Sequence, residues 1–367
     1  MFGFIKNAFT PRRDHADCSG CSLCLLVCPA WRNTRDISHT PHGRAKAMQH
    51  GDAVHAASVE SCTLCMACDP VCPEQIDQVG KILRLRRQQV LSAEASPLPC
   101  RERARERARE RVKTESLHGS TPIPPFPLQG GRGQFSSGLQ ARMEEITAQP
   151  ITTKHAPAKL LPDQALLDHP DLLARISTLL GIPVAEDDGA DIALALEAGV
   201  VVPAERLQRF LAPFKGAKKI IVADGLLLKH LKQLLPAISF VSLGEALSGH
   251  AEVRRKLRAT DLYVIEPRAY HSDYQRLVKH YDGLRAAHGC AFNLDLQRIA
   301  IPATARSLPQ RLGLSAHDDD AQARWLLHGR SIARIVVESL EDRAALAMVS
   351  DVPVVHLAEL VDDGSRV

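Results

Sequence analysis

Beyond residue 160 the chain alternates short apolar runs with longer segments of mixed polarity. KIIVAD (219–224) is followed by GLLLKHLKQLL, and ISFVSL (239–243 at its core) by EALSGHAEVRRKL. DLYVIEP (261–267) precedes HSDYQRLVKHYDGLRAAHG, ARIVVES (333–339) precedes LEDRAALAMVS, and VPVVHL (352–357) comes last. Short β-branched runs separated by helix-period segments predict βα units and a mostly parallel sheet. Gln164 to Ile182 predicts a leading helix that ends at Gly181-Ile182-Pro183. No G-x-G-x-x-G follows the first of these strands, which argues against a bound dinucleotide.

The pattern at the other end is different. In IDQVGKILRLRRQQVL, residues Ile76, Val79, Ile82, Leu83, Leu85 and Val90 recur at helical spacing. Ala45–His50 and Asp52–Val59 predict short helices broken at Gly51. The reading is therefore a helical domain over 1–91 and an α/β domain over 161–367. Between them, 92–160 reads as a low-complexity, disordered linker. RERARERARERV repeats a four-residue unit with no apolar face, and TPIPPFPLQGGRGQFSSG is rich in Pro, Gly and Ser. An arginine tract can bind phosphates, but three interleaved glutamates offset half its charge.

Composition adds one decisive number. The chain has 367 residues and ten cysteines, and eight of them fall in two windows, Cys18–Cys28 and Cys62–Cys72. A disulfide scaffold would be small and would spread its cysteines. With 45% hydrophobic and 24% charged residues the chain has ordinary globular composition, and the net charge of +4 selects no acidic partner. Aromatic residues are only 4%, which leaves little surface for stacking nucleic-acid bases. No apolar stretch is long enough for a membrane span, and MFGFIKNAFTPRRD lacks the order of a signal peptide. A cytoplasmic protein is expected.

Both windows read C-x₂-C-x₂-C-x₃-C-P, the bacterial iron–sulfur run. Three cysteines at two-residue gaps let one tight loop present three thiolates to a cubane cluster. The fourth points elsewhere because the chain turns into a helix after the third, so two such runs are expected to exchange their last ligands. That predicts one [4Fe–4S] cluster on Cys18, Cys21, Cys24 and Cys72, and another on Cys62, Cys65, Cys68 and Cys28. Pro29 and Pro73 would stop the local helices. A zinc ribbon is the competing use of close cysteines, but it takes paired C-x₂-C knuckles.

The two windows, the 33 residues between them and the HGRAKAM segment resemble the helical two-cluster ferredoxin module of a family. That family includes the iron–sulfur subunits of glycolate oxidase, of D-lactate and anaerobic glycerol-3-phosphate dehydrogenases, and the C subunit of heterodisulfide reductase. Gly43-Arg44 matches the family's Gly-Arg pair after the first window. The resemblance covers about residues 14 to 90. It implies a non-catalytic electron-transfer subunit that works between a flavoprotein dehydrogenase acting on a 2-hydroxy acid or similar substrate and an acceptor protein or quinone-linked partner. Attachment at the inner face of a membrane would then come through a partner. The family often carries a C-terminal domain with duplicated Cys-Cys-Gly motifs. Here Asp187, Asp188 and Gly189 stand where cysteines would be expected, and TDLYVIEPRAYHSDYQRL also lacks them. The resemblance thus implies a degenerate domain used for docking. A redox- or oxygen-sensing regulatory or assembly protein is the alternative.

Other candidates are less pointed. His39, His42, His50 and His55 lie between the windows and read as turn or surface residues, one of which could tune a cluster. Arg44 could face a reduced cluster or pair with a carboxylate. The acidic groups Asp187, Asp188, Asp191 and Asp318–Asp320 read as solvated loop acids. Tyr270, His271 and Tyr274 sit at a strand's carboxyl end, where α/β sheets place ligands. Cys290 reads as a buried small residue, and Leu25 and Met66 as apolar shields for the clusters.

Overall fold

The structure is a computed structural model that describes residues 13–95, 131–149, 156–314 and 320–361. Residues 1–12, the Arg/Glu repeat, the TPIPPFPLQG part of the proline-rich stretch and Asp318–Asp319 lie outside the described residues.

Residues 13–95 are helical, with turns as short as the cysteine spacing demands. Each window holds a one-turn helix, Leu23–Leu26 and Cys68–Val71, that stops at a Cys-Pro step. A residue before proline is driven out of the helical region. Cys28 (ψ 116°) and Cys72 (ψ 113°) are accordingly extended, which swings each fourth cysteine away from its own loop. Pro73 follows the helix it ends, whereas Pro29 opens the next helix, Pro29–Thr34. The helix expected over 45–50 runs Pro41–Gln49, because Thr40 caps it by accepting from the Gly43 N–H and Pro41 suits its first turn. The one expected over 52–59 is shorter, Ala56–Glu60. The long helix Gln78–Ala95 buries Val79, Ile82, Arg86 and Val90 on one stripe.

The α/β region departs from the expected single sheet. It has two parallel sheets, one of order β1-β2-β3 and one of order β5-β4-β6-β7. The strands are β1 (Ala158–Leu161), β2 (Lys219–Val222), β3 (Ser239–Ser242), β4 (Asp261–Val264), β5 (Ala291–Phe292), β6 (Arg334–Val337) and β7 (Val354–His356). Alternate residues explain the division. Leu160, Ile221, Tyr263 and Val336 face one shared core. Their neighbours Leu161, Ile220 and Val222 face a second core, and Leu262, Val264, Ile335 and Val337 a third. Both faces of each sheet are covered, as parallel sheets require. The expected leading helix is two helices, Gln164–Leu167 and Pro170–Leu180, since Pro170 cannot continue the first.

Part of the expected linker is structured. Gly131–Ala148 is a helix whose Phe135, Leu139 and Met143 pack with Ala195, Ala198 and Leu308. Strand β1 also begins inside it. Nor is the helical region independent of the sheets. Leu226 packs with Val59, Leu64, Met66, Val79 and Ile82, and Ile299 with Val27 and Ala67. Among the described residues no helix is long and apolar enough to cross a membrane.

Candidate iron–sulfur centres

The two cysteine loops share a backbone pattern. Gly20 (φ 79°) and Ser22 (φ 65°) in the first correspond to Leu64 (φ 54°) and Met66 (φ 63°) in the second, all left-handed. Left-handed residues at alternate positions curl the chain so that N–H groups turn toward one concavity, an arrangement that suits anions. Beside these loops lie two cavities. One, of about 320 Å³ counted with its open mouth, is lined by Cys18, Cys21, Cys24 and Cys72, with His42 on its wall. The other, of about 350 Å³ on the same measure, is lined by Cys28, Cys62, Cys65 and Cys68, with His39 and Arg44. In each, three cysteines come from one window and the fourth from the other. These eight cysteines and Cys290 are all free thiols.

The chemistry of these donor sets fits an iron–sulfur group. Among the described residues, no three His, Cys, Asp or Glu side chains converge closely enough to hold a single metal ion. A zinc site would need its sulfurs about 2.3 Å from one point. Here four thiols surround a space. Burial, then the thiols Cys28, Cys18, Cys21 and Cys72, push Cys24 up to about 12. Burial likewise pushes Cys65 to about 12 and lifts Cys28 and, more strongly, Cys68, where Asp69 adds to it. Thiols so placed become thiolates only with a cationic centre among them.

Arg44 supplies a second observation. It is buried on the wall of the second cavity, and its charge favours the Cys28 thiolate. Its Nη2 donates to the carbonyl of His39 (2.7 Å), its Nε to the carbonyl and hydroxyl of Ser58 (3.1 Å each), and Nη2 also to Ser58 O. Of the two readings of Arg44, a carboxylate partner is absent among the described residues. A buried guanidinium bound only to neutral oxygens favours an anionic neighbour. Gly43 makes this fit possible, because a Cβ there would stand 2.0 Å from the Ile37 carbonyl oxygen.

The two cavities differ in surroundings. Cys21 is exposed, and the carbonyl of Cys18 accepts from Gln49 Nε2 (3.0 Å) and Lys46 Nζ (3.4 Å). The second loop is gripped mostly from the α/β region, with Arg86 of the helical region adding to it. Arg268 Nη2 donates to the Thr63 carbonyl (2.9 Å) and His271 Nδ1 to that of Cys65 (2.7 Å). Arg86 Nη2 donates to the Cys62 carbonyl (2.5 Å), and Lys229 to Asp69 (3.0 Å). Glu197 anchors two of these arginines. Its carboxylate takes both Arg268 Nη groups at 3.0 Å, and its carbonyl takes Arg86 Nη1 at 2.9 Å. Burial opposes the Glu197 charge, but Arg268 and Arg311 outweigh it and hold the carboxyl at about 2.

Several sequence candidates are placed by these contacts. His42 meets the Ser22 hydroxyl (3.3 Å), while His50 and His55 are exposed. Asp187 and Asp191 are not solvated acids. Arg206 forks onto both in four bonds of 2.7 Å, and Asp191 is 3% exposed. Asp320 opens the helix Asp320–Leu327. Met66 lines the second cavity, and Cys290 is buried in the shared core. Tyr274 packs beside Val27, Ala67 and Ile299 near that cavity, and Tyr270 bonds to the Arg298 carbonyl. Sequence reasoning missed Arg86, Arg268 and Glu197. Arg86 had one signal, as a charge on the otherwise apolar stripe of Val79, Ile82 and Val90.

A helical segment with two four-cysteine cavities offers the donor sets that iron–sulfur groups take. Residues 14–76 match the family described as the 4Fe-4S dicluster domain, which supports [4Fe–4S] clusters as the cofactor. The probable glycolate oxidase iron-sulfur subunit of Bacillus subtilis (strain 168) is 32% identical over 94 residues, 23% of this chain and 21% of that protein. The chain thus spans about a fifth of the length of the curated relative it matches. No solved structure matches.

Proposed function

We propose that the protein relays single electrons through two [4Fe–4S] clusters as the iron–sulfur subunit of a flavin-dependent dehydrogenase complex acting on a 2-hydroxy acid or a similar substrate. The observation that carries this reading is the pair of cavities, each lined by three cysteines of one window and one of the other. Cys18, Cys21, Cys24 and Cys72 would hold one cluster, and Cys62, Cys65, Cys68 and Cys28 the other. When bound, such clusters would accept, one at a time, the two electrons that a flavin takes from its substrate. The chain's own residues hold thiolates in place, exclude water around the second cavity and set a positive charge, Arg44, beside it. The flavoprotein partner is supported by the name of the relative, a glycolate oxidase iron-sulfur subunit.

The test is anaerobic purification with iron, sulfide and flavin assayed on whatever co-purifies. The expected result is about eight iron atoms per chain, reducible and accompanied by a flavoprotein. Cys21→Ala and Cys65→Ala should each abolish electron transfer. Retained transfer in either, or no reducible iron in the wild type, would sink the reading.

A further inference from the structure

The two cysteine loops reach the same shape by different means. The first places glycine at one of its left-handed positions, Gly20, and takes its carbonyl partners from Lys46 and Gln49, within the helical region. The second has Leu64 and Met66 at both positions, fully buried side chains in a backbone region that L-residues avoid. Such a loop keeps its shape only where its surroundings over-determine it. Those surroundings are the donors to the carbonyls of residues 62, 63 and 65, and two of the three come from beyond residue 260.

His271 is the most specific of them. The Ala300 N–H donates to its Nε2 (3.1 Å), so the ring proton sits on Nδ1 and is given to the Cys65 carbonyl (2.7 Å). Both ring nitrogens are committed, and burial keeps the imidazole neutral, holding it down at about 4. Arg268 is fixed with equal care by the bidentate Glu197 carboxylate before it reaches Thr63. With its carbonyls tied outward, the loop's N–H groups remain available to the concave side.

We propose that the α/β region is a built-in scaffold for the second cysteine loop. In it, His271 and Arg268 are positioning residues for the cluster carried by Cys28, Cys62, Cys65 and Cys68. This inference rests on the two-cluster reading and gives the cysteine-poor region a task that needs no cysteine of its own.

The experiment uses the full chain, reconstituted anaerobically as wild type, His271→Ala, Arg268→Gln and His271→Asn. Iron and sulfide are counted, and low-temperature electron paramagnetic resonance follows a reductive titration. Cys21→Ala and Cys65→Ala provide reference spectra for assigning the two signals. The expected result for His271→Ala and Arg268→Gln is loss of about half the iron, or a displaced potential, confined to the second signal. His271→Asn, whose amide can reproduce the Nδ1 donor, should keep both. Variants that load both clusters at wild-type potentials would overturn the scaffold role, and so would equal loss from both signals, which marks general destabilisation. A wild type without reducible clusters removes the underlying reading itself. A wild type with two clusters and indifferent variants removes only the scaffold.

Discussion

Gly43 and Arg44 show how much one residue pair can hold. A methyl group at Gly43 would collide with the Ile37 carbonyl and crowd Ser38. Gly43→Ala should therefore push the His39 turn away from the helix Pro41–Gln49, at a cost of about 1–3 kcal/mol. The check is thermal denaturation of the two proteins side by side, and an unchanged melting point would contradict this fit. Arg44 then spans the gap to the carbonyls of His39 and Ser58. The pair was legible in the sequence through its place after the first window, and the eight cysteines were legible through their spacing, because thiolate chemistry is local in the chain. Arg268 was not, and His271 stood out only through its place at a strand's carboxyl end, without its partner. Their partners, Thr63 and Cys65, lie more than two hundred residues away, and nothing in EPRAYHS announces a carbonyl on the far side of the molecule.

Among elements, the helix Gly131–Ala148 was hidden by its neighbours and by its own composition. Gly131, Gly133, Gly138, Ser136 and Ser137 are weak helix formers, and a proline-rich stretch comes just before them. What holds the helix is a narrow stripe at four-residue spacing, Phe135, Leu139 and Met143, set against Ala195, Ala198, Leu308 and Leu312. Tertiary packing outweighs propensity there. Met143 is wholly buried, so Met143→Ala should cost about 2–5 kcal/mol in urea denaturation. The exposed neighbour Glu144→Ala should cost almost nothing. Equal, negligible effects would return the segment to a solvated linker. The strands fared better, since four-residue β-branched runs carry their own signal. The division into two sheets did not show, because it depends on which alternate face meets which core. Arg206 belongs here too, as one guanidinium ties the Asp187 turn to the helix Ala190–Ala198.

At the scale of the whole molecule, one shared core takes residues from both sheets, and His356 ends β7 just before Leu357 and Ala358 of that core. Its Nε2 donates to the Glu338 carbonyl (3.2 Å), and its Nδ1 accepts from the Ala358 N–H (3.2 Å). Burial holds the imidazole at about 4, against an ordinary value of 6.5. Between those values the unfolded chain binds the proton and the folded one does not. This residue's contribution to stability is thus complete above pH 6.5 and is lost as pH falls toward 4. The loss amounts to roughly 3 kcal/mol over the window. His356→Gln should be less stable than the wild type at pH 7, and the gap should narrow on acidification when unfolding free energies are compared across pH. A gap that stayed constant would refute the assignment. The domain plan itself was only half legible, because the small helical region borrows Leu226 and Ile299 for its core. That borrowing, with the crossing of Cys28 and Cys72, bears on the order of events at the ribosome. The first cavity lacks a cysteine until Cys72 has been made and the second until Cys68 has, and the grip on the second loop waits for His271 to emerge. Filling of the buried site therefore belongs after most of the polypeptide has been made, with the open thiols exposed to oxygen and stray metals until then.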